Sequence, residues 1–121
     1  MKIEKFEDID SWKAARELTK IVYKLTSNEP LNKDFGLKDQ IQRASVSIMA
    51  NIAEGFDSKS NKAFINFLNY SFRSASEVQS LLYAALDQKY INDVEFNTAY
   101  NQCIEIKKLI GGFIRYLKNK P

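Results

Sequence analysis

The sequence predicts an all-α fold, an up-down-up-down antiparallel four-helix bundle built from one domain, residues 1–121. Three observations predict it. Apolar residues recur at helical spacing through four long segments. Two prolines and four glycines are few, and Pro30 is the single proline before the final residue, which favours long helices over a turn-rich β fold. No run alternates in polarity between turn signals, so nothing reads as a strand. A chain of 121 residues is long enough to bury about two-thirds of its unfolded surface.

The first helix is expected from about Ser11 to Thr26. Asp8 or Asp10 is a candidate cap, because a carboxylate there accepts an orphan backbone N–H. Trp12, Ala15, Leu18, Val22 and Leu25 form the apolar face. SNEPLNKD then breaks the pattern and reads as a loop. A second helix follows from about Phe35 to Glu54, with Gly55 as its left-handed terminator. A third runs from about Asn61 to Gln88 with Ser60 as cap, its inner face being Phe64, Phe67, Leu68, Ser71, Ala75, Val78, Leu82 and Ala85, with Ile65, Phe72 and Tyr83 along one edge. The fourth starts near Asn92 or Asp93 and reaches about Lys118 on a core line of Ala99, Cys103, Ile106, Ile110, Phe113 and Leu117. Gly111 and Gly112 interrupt it at a cost of roughly 1 kcal/mol each, and suggest close helix approach or a bend.

The second helix is apolar on two sides. Leu37, Ile41, Ala44, Ile48 and Ile52 make one face. Val46, Met49, Ala50 and Ala53 make another, roughly opposite. Gln40, Arg43, Ser47, Asn51 and Glu54 run between them. A helix apolar nearly all round is buried nearly all round, which in so small a chain implies a partner subunit. Arg43, Val46, Met49, Ala50, Asn51, Ala53 and Glu54 are therefore the candidate oligomer interface. Asn51 fits a register-setting bond across it. Glu54 opposes the dipole at the helix end and has two readings, a specific donor or plain solvent.

Composition excludes much chemistry. There is no histidine, which removes the commonest general base, the commonest metal ligand and every imidazole triad. One cysteine supplies neither a disulfide nor a zinc cluster, and Cys103 falls on a core line. Neither a GxxxxGKS/T loop nor a GxGxxG fingerprint occurs. The di-iron bundle needs inward Glu-x-x-His pairs, and Glu54 and Glu77 are the only acids expected against apolar surface. No catalytic residue, metal site or cofactor is expected. No run approaches the ~20 apolar residues of a membrane span, and the start MKIEKFEDID lacks a signal-peptide core; a cytoplasmic protein is the expectation.

The net charge of +3, from 18 basic and 15 acidic residues, permits an anionic partner without demanding one. Its distribution is more informative. Lys13, Arg16, Lys20 and Lys24 occupy an arc of about 80° on the first helix at 100° per residue, with Glu17 close by. Lys107, Lys108, Arg115, Lys118 and Lys120 gather at the other end of the chain, where the helix dipole already favours several of them. A solvated face is the ordinary fate of such a stripe. Repeated by symmetry in an oligomer, it becomes a field to which phosphate backbones bind.

The segments FEDIDSWKAARELTKIVYKLT (Phe6 to Thr26), DFGLKDQIQRASVSIMANIAEGF (Asp34 to Phe56) and FINFL (Phe64 to Leu68), Ser74 with Glu77, and the ending IGGFIRYLK resemble the 23S rRNA-intervening sequence proteins. These are S23-like four-helix bundles related to the accessory variability determinants of retroelements. The resemblance covers nearly the whole chain. It implies a bundle assembled as a homo-oligomeric ring, a homopentamer, with no known catalytic residues. From the retroelement relatives it implies a basic surface for RNA or DNA and a reverse transcriptase or other protein partner. Met49, Ser58, Ala63 and Arg73 depart from the family pattern. The reading is a non-enzymatic accessory protein binding nucleic acid through Lys13, Arg16, Lys20 and Lys24. The alternative is a protein-interaction scaffold without nucleic acid.

Overall fold

A computed structural model of the protein describes residues 2–120. Four helices, α1 (Asp10–Thr26), α2 (Phe35–Asp57), α3 (Asn61–Asp87) and α4 (Asp93–Lys118), make up nearly all of it, and no strand occurs among the described residues. Each helix packs on its sequence neighbour, and α4 closes the bundle against α1. The central layer is Ala15, Leu18 and Val22 of α1, Ile41, Ile48 and Ile52 of α2, Leu68, Ala75, Val78 and Leu82 of α3, and Ala99, Cys103, Ile106 and Ile110 of α4.

Polar side chains tie each of the four seams. Thr19 Oγ1 donates to the Ser45 carbonyl (3.3 Å) and Gln42 Nε2 to Thr26 Oγ1 (2.9 Å), joining α1 to α2. Ser71 Oγ donates to the Ile48 carbonyl (2.8 Å), and Ser47 Oγ lies 3.1 Å from Ser74 Oγ, joining α2 to α3. Lys107 Nζ donates to Gln79 Oε1 (3.1 Å) between α3 and α4, and Gln102 Nε2 to the Ala14 carbonyl (2.9 Å) between α4 and α1. Thr19 and Thr26 also donate to the carbonyls of Ala15 and Val22 on their own helix (both 2.9 Å), and the bonds across the seams restrict sliding of the apolar faces.

The expected cap on α3 is present, and the expected start of α4 near Asn92 carries one as well. Ser60 Oγ accepts the Ala63 N–H (3.3 Å), and Asn92 and Glu95 form a reciprocal capping box. Asp34 caps α2 through Leu37 N–H and also accepts the Tyr90 hydroxyl at 3.1 Å, tying the start of α2 to the α3–α4 connection. Within the SNEPLNKD segment a 3₁₀ turn, Leu31–Lys33, buries Leu31.

Several expectations need correction. Neither Asp8 nor Asp10 caps α1, whose cap position is Ile9. A 3₁₀ turn over Phe6–Asp8 turns Asp8 back, so that Oδ2 accepts the N–H groups of Glu4 (3.0 Å) and Lys5 (3.2 Å). Those bonds, Glu4's foremost, hold its carboxyl below the usual range. Gly55 does not end α2, which runs on to Asp57. It is a buried helical residue where α2 meets α3. A Cβ there would fall 2.7 Å from Phe64 Cδ1 and 2.8 Å from Phe67 Cβ. The left-handed residue of that connection is Lys59, at φ 60°. Gly111 and Gly112 stay inside α4. A Cβ at either would meet nothing nearer than the Arg115 guanidinium, 3.8 Å away, so neither permits a close helix approach.

Candidate nucleic-acid interface on helix α1

Helix α1 turns Ala15, Leu18, Val22 and Leu25 inward, which leaves the opposite side to solvent. Lys13, Arg16, Lys20 and Lys24 are all exposed there. Two have acidic partners on the same helix: Lys13 Nζ lies 3.9 Å from Asp10 Oδ1, and Lys20 Nζ lies 3.3 Å from Glu17 Oε1. All four side chains of these pairs are more than half exposed, so the pairs are weak and open readily to a competing anion. Lys24 has no ion pair among the described residues.

An aromatic edge accompanies the charges. The Arg16 guanidinium lies 5.9 Å from the Trp12 ring centroid, and Trp12 meets Phe6 edge-to-face at 5.2 Å. Tyr23, 46% exposed, is seven residues after Arg16 and therefore falls about 20° from it around the helix. Sequence reasoning missed Tyr23, although the same 100° rule applied to every residue of α1 locates it. Cations beside exposed rings are the combination that single-stranded nucleic acids use, phosphate on charge and base on ring. The basic residues of α4 do not extend the stripe as a group. Lys107 leans on α3, bonding Gln79 and sitting 4.9 Å from the Phe72 ring, while Lys108, Arg115, Lys118 and Lys120 are exposed.

The candidate oligomer surface on α2 divides in two. Val46 (40% exposed) and Ala50 face outward. Met49 and Ala53 are half-buried, and the Thr19 hydroxyl of α1 reaches Met49 Sδ at 3.5 Å. The second apolar patch is therefore partly the α1 seam and only partly a free face, because α2 sits between α1 and α3. Asn51 spends its amide on the Ser47 carbonyl (2.9 Å) and hydroxyl (3.0 Å) of its own helix. Arg43 is exposed and pairs with Asp39 at 3.1 Å. Glu54 is exposed and makes no hydrogen bond or ion pair among the described residues, and Glu77 is exposed as well, so neither carboxylate lies against the core.

Among the described residues no group of three or more Cys, Asp and Glu side chains is placed to hold a metal ion. Cys103 is fully buried, and burial pushes its thiol up to about 12. Among the described residues no helix is long and apolar enough to cross a membrane. Ser58 donates to the Gly55 carbonyl at 2.6 Å, and Arg73 lies over the Tyr70 ring at 4.8 Å.

The chain is similar to known proteins both in sequence and in fold. A family model described as 23S rRNA-intervening sequence protein matches residues 7–112. A solved structure from Bacteroides thetaiotaomicron VPI-5482, a protein of unknown function from the S23 ribosomal protein family, superposes with a TM-score of 0.79 at 29% identity. The match covers 87% of this chain and 95% of that one. No curated protein matches.

Proposed function

The chain belongs to the 23S rRNA-intervening sequence protein family, and on that premise we propose a non-enzymatic, homo-oligomeric accessory protein that binds RNA or DNA through α1. The observation that carries the reading is the unbroken exposure of Lys13, Arg16, Lys20 and Lys24 along one side of a rigid helix. Trp12 and Tyr23 stand at its edge. Phosphate binding there needs nothing beyond charge and stacking. Assembly is proposed through the outward part of α2, Val46 and Ala50 with Arg43 and Glu54 beside them, as a ring of five copies.

Anisotropy of a labelled single strand, followed against salt, tests the binding. Four phosphate contacts per protomer predict a slope of log K on log salt of about −3. Charge reversal at the four positions should flatten that slope while leaving helicity and oligomer mass unchanged. Wild-type protein without salt-sensitive binding to RNA or DNA would overturn the proposal. For assembly, Val46→Asp and Ala50→Glu should lower the mass in solution, and an unchanged mass would remove α2 from the interface.

One observation favours the scaffold reading instead. Phe35 and Val94 are 74% and 73% exposed, at the end of the bundle where Asp34 accepts the Tyr90 hydroxyl. A reverse transcriptase or other protein docked there predicts that Phe35→Ser and Val94→Ser abolish its capture while nucleic-acid binding persists.

A further inference from the structure

We propose that the cleft at the opposite end of the bundle binds a planar aromatic anion of nucleotide size. Three distant pieces of chain converge there: residues 2–10, the α2–α3 connection and the last turns of α4. The cleft has a volume of about 760 Å³, within the range of small-molecule sites. The α1 stripe reaches this cleft through Lys13, which pairs with Asp10, and the proposal does not depend on the reading of that stripe.

Its apolar wall is aromatic. Phe64 meets Phe56 edge-to-face at 6.3 Å and Phe113 at 5.3 Å. Tyr116, 54% exposed at the rim, lies nearly parallel to Phe113 with centroids 5.9 Å apart. A flat ring entering the cleft therefore finds ring surface, which rewards offset or edge-to-face contact beyond simple area burial.

The charges lining the cleft select an anion. Lys2, Lys59 and Lys120 line it with Asp8 and Asp10. Asp8 is held by the Glu4 and Lys5 N–H groups and Asp10 pairs loosely with Lys13 at 3.9 Å, so the lysines of the cleft outnumber its acids by one. The three lysines have no ion pair among the described residues. Lys120 Nζ lies 5.5 Å from the Tyr116 centroid. Lys59 is brought to the cleft by its left-handed backbone, immediately before the positive end of α3.

A second observation points to a polar ligand atom. A smaller cavity of about 210 Å³ shares Ile3, Asp10 and Phe113 with the cleft and is lined by Ser11. Ser11 is 2% exposed, and its hydroxyl has no hydrogen-bond partner among the described residues. Buried hydroxyls without partners are rare. A ligand group reaching past Phe113 would satisfy this one while its anionic end rests on the lysines.

The test is a heteronuclear NMR titration of the full chain with AMP, and separately with 2-naphthoate, adenosine and inorganic phosphate. AMP should give saturable shifts at Phe56, Lys59, Asn61, Phe113 and Tyr116, with adenosine and phosphate at least tenfold weaker. Lys59→Glu with Lys120→Glu should weaken AMP at least tenfold, and Tyr116→Ala several-fold. All three positions are exposed, and an unchanged thermal transition confirms the fold. Binding of 2-naphthoate as well as AMP supports aromatic anions at large, and AMP alone supports a nucleotide. Three results overturn the proposal: no saturable shift at the cleft at millimolar ligand, phosphate binding as tightly as AMP, or affinity indifferent to the lysine reversals. Variants of Arg16, Lys20 and Lys24 should leave this titration unchanged.

Discussion

Replacing Gly55 by alanine separates two opposed terms whose sizes follow from the structure. Alanine is the better helix former, by about 1 kcal/mol. Against that, the new methyl would sit 2.7 Å from Phe64 Cδ1 and 2.8 Å from Phe67 Cβ. The Phe64 ring can turn aside about its side-chain torsions. Phe67 Cβ cannot, because it is fixed to the α3 backbone, so α2 and α3 must separate locally. Overpacking of this kind costs about 1–3 kcal/mol, and the rigid contact argues for the upper half. The net expectation is a loss of about 1–2 kcal/mol, or a fall in Tm of roughly 3–10 °C for a domain of this size.

Urea unfolding followed by far-UV circular dichroism at fixed protein concentration measures the change. Two comparisons make the result specific. Gly111→Ala and Gly112→Ala replace the same residue where the new methyl meets only Arg115 at 3.8 Å, and each should gain up to about 1 kcal/mol. Gly55→Asn distinguishes close contact from a left-handed terminator. Asparagine is among the mildest replacements in left-handed backbone, but is larger than alanine and should be the worse of the two here. Gly55→Ala with unchanged or higher stability would refute the contact argument. So would Gly55→Asn more stable than Gly55→Ala.

Two further outcomes follow from capping and burial. Asn92→Ala removes the side-chain acceptor of the capping box on α4 and should cost about 1 kcal/mol in the same urea experiment; a loss indistinguishable from zero would mean that the box adds nothing to α4. Cys103, with its thiol pushed up to about 12, is ionised at pH 8 to only roughly one part in ten thousand. A disulfide reagent should therefore label it at the rate of unfolding, and fully in denaturant; prompt labelling of the folded protein would contradict its burial.

Much of the fold was legible because helices announce themselves locally. The central core lines of α1, α3 and α4, the Ser60 cap and the start of α4 near Asn92 depend on residues within a turn or two of each other, and the observed helices keep most of the expected faces, with Trp12, Phe67 and Phe113 only half-buried. Gly55 was misread for the complementary reason. Glycine after an apolar run resembles a terminator, and only Phe64 and Phe67, brought back by the Ser58–Ser60 connection, reveal a contact site. The two-sided character of α2 was legible, but its neighbours were not. A helical wheel records which sides are apolar but not which neighbour covers them, so Met49 and Ala53 were assigned to a partner although α1 claims part of that side through Thr19. The basic stripe and its exposure were readable from spacing, whereas the Asp10–Lys13 pair was overlooked, though the three-residue separation is visible. The cleft could not be anticipated, since its walls come from three separate parts of the chain.

Charge and assembly are linked by the dimensions of α1. Lys13 and Lys24 are eleven residues apart, about 16 Å along the helix, against a Debye length of about 8 Å at physiological ionic strength. The ends of the stripe therefore do not act as a single concentrated charge; Asp10 dilutes its first end and Glu17 its middle. One protomer offers a phosphate backbone only a modest hold. Repetition changes the arithmetic, because a strand held by one stripe meets the next at a high effective concentration. On the proposed reading, binding and assembly are thus one property measured in two ways. Val46→Asp leaves every cation of α1 in place, yet it should weaken binding to a long strand far more than to a short one. Equal weakening for both lengths would mean that α2 influences α1 directly, through the Thr19 and Gln42 contacts of their shared seam, and not through the number of copies presented.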